Sequence, residues 1–261
     1  MSILDAPRAI VGVDGCKGGW IAASKLRGQP PHATIYKAFA DIARDLPEAL
    51  IAVDMPIGLP DAGSRFGRAT EQALKAVLGR ARNTIFPIPS RAAVYAETGK
   101  LNGMAEIGAA FQRALAVARE TSDPPGGFSR QAFMIFPKIR EIDAALRSDA
   151  ELASRVIESH PEAAFWRMNG RRDLRHPKKL DAGKTERMEV LQGWGFDAAW
   201  FASAREQVRR DKPSGLSVGW DDLLDACAML VVAARHAEGA CESFPDPPGR
   251  DACGLPVAIW V

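Results

Sequence analysis

The sequence predicts an α/β protein: a mixed sheet with flanking helices and a mostly helical insertion after the fourth core strand. Three observations lead there. Short apolar runs, AIVGV at 9–13, WIAASKL at 20–26 and LIAV at 50–53, have the length and composition of buried strands. The first two are joined by the glycine-rich GCKGG, which suits a hairpin turn. WDDLLDACAMLVVAARHAEG, at 220–239, is the clearest helix in the chain.

Taken in order, the first strand runs from Ala9 to Val13 and ends at Asp14. The hairpin partner follows, and Ala33 to Phe39 forms a third strand. Asp41 is the expected N-cap of a short helix with Ile42, Leu46 and Leu50 along one face. The fourth strand ends at Asp54, and Pro56 stops it. Hairpin strands followed by a helical crossover give a mixed sheet. Residues 64–82 read as helical, RARNTIFPIPSR as a basic proline-containing loop, and Met104 to Glu120 as a helix. Residues 131–147 read as a helix that Pro137 must break or cap. These segments form the insertion, about 62–152. A strand is expected around Arg155 to Ser159, then helices at 160–169 and 183–193 separated by a basic loop. The tail is a Pro- and Gly-rich loop closed by PVAIWV. With no repeat and no clear linker, residues 1–261 are expected to form a single domain.

Composition narrows the class. Of 261 residues, 47% are hydrophobic and 25% charged, as in soluble globular proteins. A net charge of +2 neither requires nor excludes a nucleic-acid partner. The four cysteines contain no CxxC pair and no histidine at zinc-finger spacing, which argues against structural zinc. Reduced thiols are expected, a Cys241–Cys253 disulfide being the alternative. Cys16 has no apparent base partner and reads as a packing residue. Without a secretory signal or a long apolar stretch, the expectation is a cytoplasmic protein that does not enter membranes.

The chemistry resides in acids that end apolar elements. Asp14 ends AIVGV, Asp54 ends LIAV, Glu158 ends RVIE, and Asp222 and Asp225 open the long helix on one face. Buried carboxylates are costly unless paired, hydrogen-bonded or bound to a cation. Mg²⁺ or Mn²⁺ prefers such oxygen ligands, and two ions ~3.5–4 Å apart can activate water and stabilise a leaving phosphate oxygen. Each acid also has a structural reading. Asp14 and Asp54 could cap turns, Asp221 and Asp222 could stabilise the helix N-terminus, and Glu158 could pair with an arginine.

GVDGCKGGW, VDMPIGLP, IFPIPSR, FPKIREID, ESHPEAAF, KKLDAGKTER and DDLLDACAML together resemble the bacterial domain-of-unknown-function family 429, a predicted ribonuclease H-like nuclease group. The resemblance covers nearly the whole chain. It implies a ribonuclease H-like fold, with metal-binding acids on the first strand, the fourth strand and the last helix. These match Asp14, Asp54 and Asp225, with Asp222 beside the last and Glu158 as a further ligand or proton-handling group. The family itself implies no particular substrate; the leading expectation from the acids and the fold is metal-dependent phosphodiester hydrolysis, with nucleic acid as the partner.

Lys17, Arg80, Arg82, Arg91, Lys138, Lys184 and Arg187 are candidate phosphate contacts, since cationic side chains suit phosphate oxygens. A solvated basic surface is the competing reading, and Lys178 and Lys179 share both. AGKT at 182–185 lacks the first glycine of a phosphate-binding loop and is rejected as one. His160 is open to a proton-relay or a structural role. Two other functions remain: a nucleotide-binding phosphotransferase or ATPase of the actin-like type, using GVDGCKGGW as its phosphate hairpin, and a non-catalytic binding module.

Overall fold

A computed structural model describes Ile3 and residues 8–261. The chain divides into two compact units. The first comprises Met1–Met55, Glu151–Glu242 and Trp260–Val261. The second comprises Pro56–Ala150 and Ser243–Ile259. The segment expected as an insertion is therefore joined in the second unit by a stretch close to the C-terminus.

The first unit is α/β. Its sheet holds β1 (Ile10–Cys16), β2 (Gly19–Lys25), β3 (His32–Tyr36), β4 (Leu50–Val53) and β5 (Val156–Glu158), in the order β3-β2-β1-β4-β5. The β1-β2 and β2-β3 pairs are antiparallel, and the β1-β4 and β4-β5 pairs are parallel, so the sheet is mixed as expected. The short helix α1 (Phe39–Asp45) carries the chain from β3 to β4. Its N-cap is Ala38, three residues before the expected Asp41, which sits in the first turn paired with Arg44.

One helix organises this unit. The last helix, residues 220–237, is buried on all sides from Leu223 to Arg235 and packs along β1. Contact is close because Gly12 has no side chain: a Cβ there would lie 2.0 Å from the Leu230 nitrogen and 2.2 Å from the Ala226 oxygen. Alternation along the strands puts Ile10, Gly12, Leu50, Ala52 and Ile157 on this covered face.

Within the second unit, α2 (Ala69–Val77) and a 3₁₀ turn (Arg80–Thr84) replace the single helix expected over 64–82. There follow α3 (Arg91–Tyr95), α4 (Met104–Glu120) and α5 (Arg130–Ser148). The α5 helix runs through Pro137 without ending. Phe133, Phe136 and Ile139 on its buried face, with Phe111 and Phe128 against the first two, outweigh the one hydrogen bond that proline forfeits. Arg91 joins Asp143 and, at 2.5 Å, Asp251.

Returning to the first unit, α6 (Ala150–Arg155) leads into β5, followed by α7 (Pro161–Met168), α8 (Asp181–Gln192), α9 (Ala198–Asp211) and α10 (Trp220–Ala237). The α9 helix is absent from the sequence reading. Its buried stripe is only Phe201, Ala204 and Val208 in a charged segment. The proline-rich tail, expected as a loop, forms β6 (Ser243–Arg250) of the second unit, which neighbours β7 (Pro256–Trp260). Prolines lack a donor, and a strand with a neighbour along one edge only, as β6 has in β7 among the described residues, tolerates them. All four cysteines are free thiols. Among the described residues no helix is long and apolar enough to cross a membrane.

Candidate carboxylate site

Three elements of the first unit bring Asp14, Asp54 and Asp225 together. Asp14 lies inside β1 rather than at its end, paired in register with Ile21, because the hairpin turn is only Lys17–Gly18. Two residues from Gly12, it shares the face that α10 covers. Its Oδ1 accepts the Gly15 N–H at 2.7 Å. Asp54 follows β4, and its N–H donates to the Val13 oxygen at 2.9 Å, which sets it beside Asp14. Asp225 lies one turn into α10 and is 1% exposed.

Burial and mutual repulsion both act on these acids. Burial pushes Asp14 well above the usual carboxylate range, and the charges of Asp54, Asp225 and Asp222 push it further. Asp54 is raised to about 8 by burial and by Asp225, with Lys178 opposing. Asp225 is raised to about 6 by burial, and the adjacent Lys178 ammonium holds it down. Lys178 Nζ lies 2.7 Å from Asp225 Oδ2. Asp225 Oδ1 is buried and has no hydrogen-bond partner.

The other acids take different places. Asp222 Oδ2 accepts the Gly219 N–H at 2.7 Å and so caps α10, although its charge reaches Asp14. Glu158 is 4% exposed and pairs in register with Val53. Strand alternation therefore puts it on the sheet face opposite Gly12 and Ala52, while its charge still raises Asp54. His160 is the N-cap residue of α7.

Sequence reading passed over Glu162, and it noted Lys178 only as one of a basic run. The arginine partner of Glu162 is Arg187, whose side chain is 2% exposed and whose Nη2 lies 2.5 Å from Glu162 Oε1. Arg187 is thus committed inside the protein, and Lys184 pairs with Asp181 at 2.9 Å. Lys17 is exposed at the hairpin turn. Arg80, Arg82, Arg91 and Lys138 belong to the second unit, where Arg91 is held by Asp143 and Asp251.

Among the described residues, no three histidine, cysteine or acidic side chains are drawn close enough to hold a metal ion as they stand. The donor set still fits a hard divalent cation in kind: carboxylate oxygens only, mutually repelling, one of them buried and unsatisfied.

The raised acids have a consequence for stability. Between the ordinary carboxylate range and about pH 8, the folded protein keeps a proton on Asp54 that the unfolded chain has released, and Asp14 is raised in the same direction. Their contribution to stability therefore falls as pH rises through that window. Melting temperatures recorded from about pH 5 to about pH 8 should show that fall, and Asp54→Asn should flatten it. Parallel curves for the two proteins would contradict this placement of Asp54.

The profile of a family described as "Protein of unknown function (DUF429)" matches residues 12–250. No curated protein and no solved structure matches the chain.

Proposed function

The chain belongs to the DUF429 family, and from its carboxylate site we propose that it hydrolyses phosphodiester bonds of nucleic acid with the help of Mg²⁺ or Mn²⁺. The observation that carries this reading is Asp225. It is a buried carboxylate with one oxygen unsatisfied, held by α10 against the charges of Asp14 and Asp54. A site used only for packing would be more stable with those acids replaced.

Asp14, Asp54 and Asp225 would hold the cation. When bound, it supplies positive charge for phosphate oxygens and acidifies water. The residues themselves explain why it is needed, since three neighbouring carboxylates repel an anionic substrate. Asp222, already the cap of α10, keeps Asp225 at a fixed turn of the helix. The order of three antiparallel strands, a helix, a parallel strand, a second parallel strand and a closing helix supports the ribonuclease H-like resemblance.

The test is incubation of the purified chain with labelled single-stranded, duplex and branched DNA and RNA. Products are expected with Mg²⁺ or Mn²⁺ and none with chelator. Intact substrates throughout, at millimolar metal, would remove the reading.

A further inference from the structure

Lys178 reaches the carboxylate site from the loop between α7 and α8, a loop that is fixed with unusual thoroughness. Glu186 of α8 accepts the N–H groups of Arg175, at 2.9 and 3.0 Å, and of His176, at 3.0 Å. The buried Arg187 donates to the carbonyl oxygens of His176, at 3.3 Å, and Gly183, at 3.1 Å, while paired with Glu162. Gly183 lets the loop close on α8, because a Cβ there would lie 2.0 Å from the Pro177 oxygen. The Leu180 N–H donates to that same oxygen at 3.0 Å. Lys178 is thus flanked on both sides by anchored backbone. Its side chain remains 39% exposed while its ammonium touches a carboxylate whose side chain is 1% exposed.

We propose that Lys178 is a resident counter-ion of the carboxylate site. Its ammonium neutralises Asp225 in the resting protein, yields Asp225 to an arriving divalent cation, and then donates to a phosphate oxygen of the substrate. The proposal rests on the metal-dependent reading above and adds the residue that couples metal arrival to substrate binding. Three features favour it over a simple ion pair. An exposed ion pair gains little and needs no buried scaffold, yet Arg187, Glu162 and Glu186 all fix this loop. An ammonium on a flexible stem carries three donors and can change partner without moving its backbone. The same loop exposes Arg172 and Lys179, so an anionic chain arriving at Lys178 meets further positive charge.

Competition for Asp225 makes the proposal measurable. Calorimetric titration of Mn²⁺ into the full chain should show K178Q binding at least about tenfold more tightly than wild type. K178R, which keeps the charge, should resemble wild type. In the wild-type protein, Mg²⁺ should increase reductive methylation of the Lys178 amine, read by peptide mass spectrometry. That readout needs no variant to fold. Equal Mn²⁺ affinity in wild type and K178Q would overturn the counter-ion role while leaving the metal site in place. Absence of Mn²⁺ binding in both would overturn the role and the metal-dependent reading together. Unchanged Lys178 methylation in protein shown to bind metal would also overturn the role.

Discussion

Asp14→Asn should lower Mn²⁺-dependent phosphodiester cleavage by about 10²–10³-fold and at the same time raise the melting temperature of the metal-free protein. Both effects have one source. Asp14 sits on β1 under α10, 7% exposed, with Asp54, Asp225 and Asp222 all adding negative charge around it. An amide of the same shape keeps an acceptor for the Gly15 N–H and removes the repulsion. The stability gain should be larger at pH 8 than at pH 5, since the raised wild-type Asp14 holds a proton in the fold that the unfolded chain releases as pH rises, and an amide has none to release. Cleavage at the wild-type rate, or a lower melting temperature in the variant, would show that Asp14 serves the fold alone.

Gly12→Ala should cost about 3 kcal/mol or more in urea unfolding, a large effect for one methyl group. The added carbon would meet backbone on three sides: the Leu230 nitrogen, the Ala226 oxygen and, at 2.6 Å, the Met229 carbonyl carbon. Backbone cannot rotate out of the way as a side chain can, so α10 must lift from β1. Asp225 rides on that helix only one residue from Ala226. The variant should therefore lose activity beyond what its unfolded fraction explains, measured below its melting temperature. Wild-type stability would mean that β1 and α10 stand farther apart than described.

Much of this was readable from the chain alone, because buried strands and an apolar helix are local patterns. AIVGV and LIAV announce themselves by composition, and a carboxylate next to such a run stands out, which is how Asp14, Asp54 and Asp225 were found. Other features depend on partners distant in sequence. Lys178 meets Asp225 across 47 positions, and nothing in KKLDAGK distinguishes it from Lys179 beside it. Arg187 lies in a polar helix, DAGKTERMEVLQ, whose composition suggests a surface, and its burial arises from Glu162, 25 positions away. The face to which Glu158 points is set by its pairing with Val53, since a shift of one residue would reverse it. The need for glycine at position 12 is visible only once α10 is laid across it.

The interleaving of the two units along the chain governs the order in which a ribosome can complete them. Residues 56–150 emerge before much of the first unit exists, yet their partners at 243–259 follow only after residues 151–242 of that unit. Arg91 must wait 160 positions for Asp251, and the Leu59 N–H waits 192 for the same carboxylate. Until Asp251 emerges, a guanidinium destined for two carboxylates has only Asp143, and an amide destined for burial has only water. The second unit cannot be finished as a nascent domain until nearly all of the first has been made. The second unit should gain its native form only after residues 243–259 have emerged, more slowly than its helical content alone would suggest.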